Sequence, residues 1–222
     1  GFPLDLTQDI LKSRDLGVEI KEFDKEMEKQ RVMARSSWQG SGDNLHEKIW
    51  LDLSNKLKPT KFIGYKDLES DPKVNYIINN GKYVNEINNG EIGELIVKET
   101  PFYATSGGQV SDKGIIENSN FCAKIIECWK TKGDIIIHKV KVESGSLKVG
   151  QIVSMKVDVD NRKFTASNHS STHILHQALK DVLGDHISQK GSLVSSDRLR
   201  FDFSHPKSII KSDLLRIEEI VN

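Results

Sequence analysis

Apolar positions change rhythm three times along the chain. Over residues 4–38 they are sparse and helically spaced: Ile10 and Leu11 form one stripe, Gly17 interrupts it, and Phe23, Met27, Val32 and Met33 form another. Charged residues fill the rest of Ile20 to Arg35, which predicts a long solvated helix with a narrow apolar seam. Residues 36–43 are small and polar and predict a linker. From Asn44 to Leu57 a helix is expected, because Leu45, Ile49, Leu53 and Leu57 recur in steps of four before Pro59 stops the pattern.

From Thr60 to Asp160 the spacing becomes that of strands. Eight short runs rich in Ile, Val and Tyr are expected to pair: Lys61–Tyr65, Val74–Ile78, Tyr83–Ile87, Glu94–Val97, Gly114–Glu117, Ala123–Trp129, Asp134–Val142 and Ile152–Val159. Turn signals separate them, among them Asn79-Asn80-Gly81, Asn88-Asn89-Gly90 and Glu143-Ser144-Gly145. Short strands at such close spacing predict a β-barrel or sandwich.

After Asp160 the helical period returns over Arg162 to Leu183, and Gly184 ends it. A strand-like segment (His186–Gln189), a turn at Gly191 and a hairpin with arms Ser192–Val194 and Arg198–Phe203 are expected next. A final amphipathic helix carries Leu214, Leu215, Ile217, Ile220 and Val221, with Ser212 or Asp213 as its cap. The fold class is therefore α+β: N-terminal helices over residues 1–58, a central β-barrel over 59–160, and the start of an α+β domain over 161–222. The first residue is not Met and the last helix meets no stop signal, which predicts a piece of a longer chain.

Composition adds exclusions. The 222 residues carry 32 basic and 32 acidic side chains, so a uniformly basic nucleic-acid coat is ruled out. The balance is uneven: residues 1–100 hold 15 basic and 18 acidic residues, whereas residues 101–200 hold 14 and 10. The middle of the chain is mildly basic, a weak pointer to a polyanion. No apolar run approaches the ~20 residues of a membrane span, and no signal-peptide pattern opens the chain. Cys122 and Cys128 are six apart, so on one strand they share a face about 20 Å apart, too far for a disulfide. Free thiols in a reducing compartment are the expectation.

Three segments carry candidate chemistry. In Asn168-His169-Ser170-Ser171-Thr172-His173 the two histidines are i and i+4 on a helix, so their imidazoles share a face and can meet one zinc ion. No Glu follows the first His, which excludes the metalloprotease signature. Two ligands do not complete a zinc site; His176, Cys122 and Cys128 are the candidates for a third. The second segment is Phe102-Tyr103-Ala104-Thr105-Ser106-Gly107-Gly108-Gln109. Its Gly-Gly loop lets backbone approach a ligand closely, with N–H groups for a phosphate or carbonyl, and Phe102 and Tyr103 are candidates for stacking on a base or for core. The third runs from Ser188 to His205, where Lys190, Arg198 and Arg200 can form a phosphate-binding strip.

Together, ETPFYATSGGQVSDKG, NHSSTHILHQALKDVLG and SQKGSLVSSDRLRFDFSH resemble the alanyl-tRNA synthetase family, in order and over essentially the whole chain. The opening GFPLDLT and the charged helix to MARSSW resemble the stretch after that family's aminoacylation core. The resemblance implies the end of a tRNA-recognition helical region, the barrel of an editing module and the first part of a zinc-bearing editing domain that hydrolyses Ser- and Gly-tRNA(Ala). It implies His169 and His173 as zinc ligands, and Thr172 and Gln189 as the pocket residues that act on the aminoacyl group. It further implies Ser192 as a lining residue and Ser106, Gly107, Gly108 and Gln109 as the loop that approaches the tRNA acceptor end. The family completes its Zn2+ site with a later CxxxH pattern that this chain lacks, so weak zinc binding and little deacylation are expected of the isolated chain. ATP, Mg2+ and alanine are implied only for the parent enzyme, and the localisation implied is cytoplasmic. A free-standing trans-editing deacylase and a non-catalytic tRNA-binding module are the rival readings.

Overall fold

A computed structural model of the chain describes residues 43–222 except 132, with isolated positions at 19, 20, 22, 23 and 29. The helix expected over 4–38 and the linker over 36–43 lie almost wholly outside the described residues. The chain divides into two compact units, Gly1–Leu45 and His46–Asn222, and all the sheet and site elements belong to the second.

Helix α1 (Asp43–Lys56) is followed by eleven strands: β1 (Lys61–Phe62), β2 (Glu69–Ser70), β3 (Val74–Asn79), β4 (Lys82–Val84), β5 (Glu86–Asn88), β6 (Ile92–Val97), β7 (Glu99–Thr100), β8 (Gly114–Asn118), β9 (Phe121–Lys130), β10 (Ile136–Lys148) and β11 (Ser154–Val157). Helix α2 (Val159–Leu183), a hairpin of β12 (Ser188–Val194) and β13 (Leu199–Ser204), and helix α3 (Lys211–Val221) complete the unit. This is the expected α+β class. None of these helices is long and apolar enough to cross a membrane.

The large sheet has the order β2-β11-β8-β9-β10-β6-β3-β4, with β5 also pairing β10. Among the described residues no ladder joins β2 to β4, so the expected closed barrel is replaced by an open sheet. The end strands are two and three residues long and offer little ladder for closure. β1 and β7 form a separate parallel pair.

Both faces of the sheet are covered at its centre. Ile136, Val140 and Val142 of β10 alternate towards one core with Leu95, Val97, Phe102 and Ile116. Ile135 and Ile137 face the other way and meet Ile78 and Ile96 beneath Ile49 and Leu53 of α1 and Leu57 just after it. Leu53 is fully buried, and Trp50 meets Trp129 edge-on at 6.3 Å. Ile49, Leu53 and Leu57, three of the four steps read from the sequence, thus lie on the face that meets the sheet.

Two bulges alter what spacing alone predicts. A register shift in the β9–β10 ladder, where Glu127 pairs Lys139 but Ile125 pairs Val140, leaves Ile126 extra. The inside–outside alternation flips there: Cys122 is half-buried while Cys128 is buried, so the two thiols do not share a face, although both are free. The expected turn at Glu143-Ser144-Gly145 is a second bulge, inside β10. Gly145 has φ +72°, and a Cβ there would lie 1.7 Å from the Asn120 carbonyl oxygen, so β10 bends and continues instead of reversing. Gly191, expected as a turn, likewise sits at a bulge within the continuous strand β12.

Helix α2 starts three residues earlier than expected. Asp158 caps it by accepting the Asn161 N–H at 3.0 Å. Its other end, β13 and α3 close a third core around Ala178, Leu179, Ile187 and Ile217. The cap of α3 is Ile210, with no side-chain bond; Asp213 instead lies in the first turn, where its charge suits the helix dipole.

His138 is a titratable group within the sheet core. His138 is fully buried, donates Nδ1–H to the Leu95 carbonyl at 3.2 Å, and accepts the Thr100 hydroxyl at Nε2 at 2.8 Å. Burial lowers its pKa to about 4. The unfolded imidazole titrates near ~6.5. Between those values only the unfolded chain binds the proton, so stability is full above about 6.5 and falls as pH drops towards 4. The loss between pH 7 and pH 5 is expected to be about 2 kcal/mol, read from urea midpoints. An NMR titration placing the His138 midpoint near 6.5 would contradict this.

Candidate functional site

A cavity of about 110 Å³ is lined by Gly107, His169, Thr172, His173, His176, Gln189, Ser192, Val194 and Phe201. It is the smallest of three described cavities and brings three histidines together. The other two lie against α1 and β3 and hold no histidine.

Three segments, distant in sequence, build it. The first is the turn Ser106-Gly107-Gly108-Gln109. Ser106 N–H donates to the Gln109 carbonyl at 3.1 Å, and Gln109 N–H returns to the Ser106 carbonyl at 3.0 Å. Gly107 and Gly108 have φ +59° and +83°, the paired positive values that a two-residue hairpin turn of the I′ kind needs. No described residue accepts from the Gly107 or Gly108 N–H.

The second segment is the middle of α2. The rings of His169 and His173 lie 5.2 Å apart and 29° from parallel, on one face as the i, i+4 spacing predicts. His169 Nδ1 lies 2.7 Å from Gln109 Oε1. An amide oxygen only accepts, so Nδ1 is the donor of this pair, and Nε2 is the ring nitrogen left facing away from it. Thr172 is buried and donates its hydroxyl to the Asn168 carbonyl at 2.8 Å. Its oxygen can therefore accept from a ligand, while its proton is committed. His176 meets Phe201 at 5.0 Å, and its Nε2 is buried with no hydrogen-bond partner.

The third segment is the β12–β13 hairpin, which supplies Gln189 and Ser192. The hairpin is stitched to the turn: Gln109 and Val194 form a parallel bridge, the Val194 N–H donates to the Gly108 carbonyl at 2.8 Å, and the Val110 N–H donates to the Val194 carbonyl at 3.0 Å. Gly108 lies so close to Ser192 that a Cβ would meet its Oγ at 2.1 Å. His169, Thr172, His173, Gln189, Ser192 and Gly107, implied as site residues by the resemblance, thus line the cavity, and Ser106, Gly108 and Gln109 belong to the turn that borders it.

The other expectations fare differently. Phe102 is fully buried, so it is core and unavailable for stacking. Arg200 pairs with Asp202 at 3.1 Å on the exposed hairpin face, which weakens the idea of a basic strip there. Among the described residues no group of three or more His, Cys, Asp or Glu can hold a metal ion. His169 and His173 supply two nitrogen donors, and a zinc ion needs three or four ligands, so the donor set present does not fit a complete zinc site.

One pair was not legible in the sequence. Arg162, in the first turn of α2, donates Nε to Asp112 Oδ1 at 3.0 Å, and its Nη2 pairs with Oδ2. Its Nη1 donates to the Gly64 carbonyl at 2.7 Å, and Nη2 also donates to the Pro101 carbonyl at 2.6 Å. Asp112, which is 3% exposed, also accepts the Tyr103 N–H at 2.6 Å. This clamp fixes the helix that carries the histidines against the loops that carry the turn. An Arg near a helix start and an Asp in a loop give no local signal that they will meet.

The family model described as tRNA synthetases class II (A) matches residues 1–161. The alanine–tRNA ligase of Rhodopseudomonas palustris is 46% identical over 222 residues, which is all of this chain and 25% of that protein. The alanine–tRNA ligase of Bradyrhizobium diazoefficiens is 45% identical over 223 residues, again all of this chain and 25% of that protein. The chain spans about a quarter of the length of these curated relatives.

Proposed function

The chain belongs to the class II tRNA synthetase (A) family, and on that premise we propose that it is the editing portion of an alanyl-tRNA synthetase. The parent ligates alanine to tRNA(Ala) with ATP and Mg2+ in the cytoplasm. The cavity hydrolyses Ser- and Gly-tRNA(Ala) formed in error. The observation that carries this reading is the convergence of the Gly-Gly turn, the His169–His176 helix face and the Gln189–Ser192 strand on one small cavity.

The size suits the task. A cavity of about 110 Å³ is small beside the ~300–1,000 Å³ of ordinary ligand pockets, which suits a small aminoacyl group. Serine exceeds alanine by one hydroxyl and glycine is smaller still, so a binding pocket can reject either by only ~10–200-fold; a second, hydrolytic site supplies the remainder.

Hydrolysis adds water to the ester carbonyl, breaks the bond to the terminal ribose oxygen and leaves that oxygen protonated. The Gly107 N–H, without an acceptor among the described residues, can hold the carbonyl or a phosphate oxygen. Thr172 Oγ1 accepts from the ammonium or hydroxyl of the aminoacyl group, because its own proton is given to Asn168. The bond from Nδ1 of His169 to Gln109 fixes the orientation of the imidazole and leaves Nε2 as its other ring nitrogen. Gln189, exposed at the mouth, and Ser192 position the ester. His169 and His173 would contribute two of a zinc ion's ligands in the parent, and the remaining ligands would come from outside the described residues. Domain limits follow the same reading: 1–58 tRNA-recognition helices, 59–160 sheet domain, 161–222 the start of the editing domain.

In the full-length parent, Gln189→Ala is expected to lower serine release from Ser-tRNA(Ala) by about 10-fold or more while alanylation stays intact. Parallel loss of both activities would remove Gln189 from this role.

A further inference from the structure

Tyr65 is 87% exposed, the most exposed large apolar side chain described. Its backbone is nevertheless fixed on both sides. The Ile63 N–H donates to the Thr100 carbonyl at 2.9 Å, the Lys66 N–H donates to the Ile63 carbonyl at 3.0 Å, and the Gly64 carbonyl is held by Arg162. Its ring meets Phe62 edge-on at 5.0 Å, and Phe62 in turn meets Tyr103 edge-on at 6.0 Å. Phe62 packs against the buried core of the sheet, so the trio rests on a rigid base. The Tyr103 hydroxyl reaches the Ser106 carbonyl at 3.4 Å, which joins the trio to the turn that borders the cavity.

We propose that Tyr65, backed by Phe62 and Tyr103, is a stacking platform for an unpaired base of the RNA 3′ end whose terminal ester enters the cavity. The inference rests on reading the cavity as a deacylation site. A solvated aromatic ring on an immobile turn presents a π-face that any base can cover, with little ordering cost on binding. Charge points to RNA as the occupant. Residues 58–66 (KPTKFIGYK) hold Lys58, Lys61 and Lys66 and no acid. Lys61 pairs with Glu99 at 3.5 Å, whereas Lys58 and Lys66 are exposed and make no ion pair among the described residues, which leaves them open to phosphates. Asp67 follows directly and keeps the patch from being uniformly basic.

The test uses two fluorescein-labelled minihelices of the tRNA(Ala) acceptor stem, one with its unpaired 3′ end and one blunt, bound to the 222-residue chain in an anisotropy titration. Tyr65→Ala is expected to weaken binding of the overhanging minihelix about 10-fold, Tyr65→Phe to retain it, and the blunt one to be insensitive to both. Wild-type affinity in Tyr65→Ala, or equal sensitivity with the blunt minihelix, would overturn the platform. Serine release from Ser-tRNA(Ala) by the full-length parent is measured separately. If it is present while Tyr65→Ala binds normally, the platform fails and the editing reading stands. If it is absent while Tyr65→Ala still weakens binding, the editing reading fails and the platform stands.

Discussion

Arg162→Met is expected to destabilise the folded chain by about 3–5 kcal/mol. Met fills much of the same volume but leaves the Asp112 carboxylate at 3% exposure without its cation. The Gly64 and Pro101 carbonyls lose their donor as well. A buried charge stripped of its partner costs far more than an exposed pair contributes. Arg162→Lys is expected to recover little, because a point ammonium cannot bond the two carboxylate oxygens and two carbonyls that the planar fork reaches together. Combining Arg162→Met with Asp112→Leu removes the stranded carboxylate and is expected to restore part of the loss, read as coupling in a double-mutant cycle. Urea unfolding measures each value; a loss below about 1 kcal/mol for Arg162→Met would mean that the clamp does not bear on stability.

Gly108→Ala is expected to reduce Ser-tRNA(Ala) hydrolysis about 100-fold in the full-length parent, the scale of an ångström-level misplacement at a site. The added Cβ would lie 2.1 Å from Ser192 Oγ and 2.8 Å from the Ser192 carbonyl oxygen, and the second of these is backbone and cannot rotate away. The residue would also have to hold φ +83°, which costs a non-glycine residue about 1–2 kcal/mol. Turn and hairpin must separate, and with them the Val194 to Gly108 bond. Gly90→Ala is the control: it meets the same kind of strain at φ +82° but has nothing within 4 Å. It is expected to lose a little stability and no hydrolysis. Equal activity in the two variants would show that the close approach at Gly108 is not needed.

The sequence was most informative where local chemistry decides structure. The steps of four in α1, the Gly184 stop and the i, i+4 histidines all depend on neighbours within a turn or two, and each lies where the spacing put it. Parity along β9 failed, because the bulge at Ile126 is set by its pairing with β10 and leaves no mark in composition. Glu143-Ser144-Gly145 reads as a turn by residue type alone; the strand continues because the Asn120 backbone packs against Gly145. Phe102 and Tyr103 are chemically alike and adjacent, yet one is core and the other half-exposed, a difference that only tertiary packing sets. The candidate residues were legible as separate motifs, but their meeting was not, since it depends on Arg162, Asp112 and the bridge from Gln109 to Val194.

That bridge also dictates timing. Gln109 and Val194 flank most of the last five strands and the whole of α2, so joining them closes a long loop whose entropy must be met before any contact there repays it. The β9–β10 ladder can form from near neighbours, and the hairpin of β12 and β13 can fold locally. The pocket comes into existence only when these finished parts dock, so it follows the sheet and the hairpin in order of formation. A chain stalled before Val194 would hold a nearly complete sheet and no pocket at all.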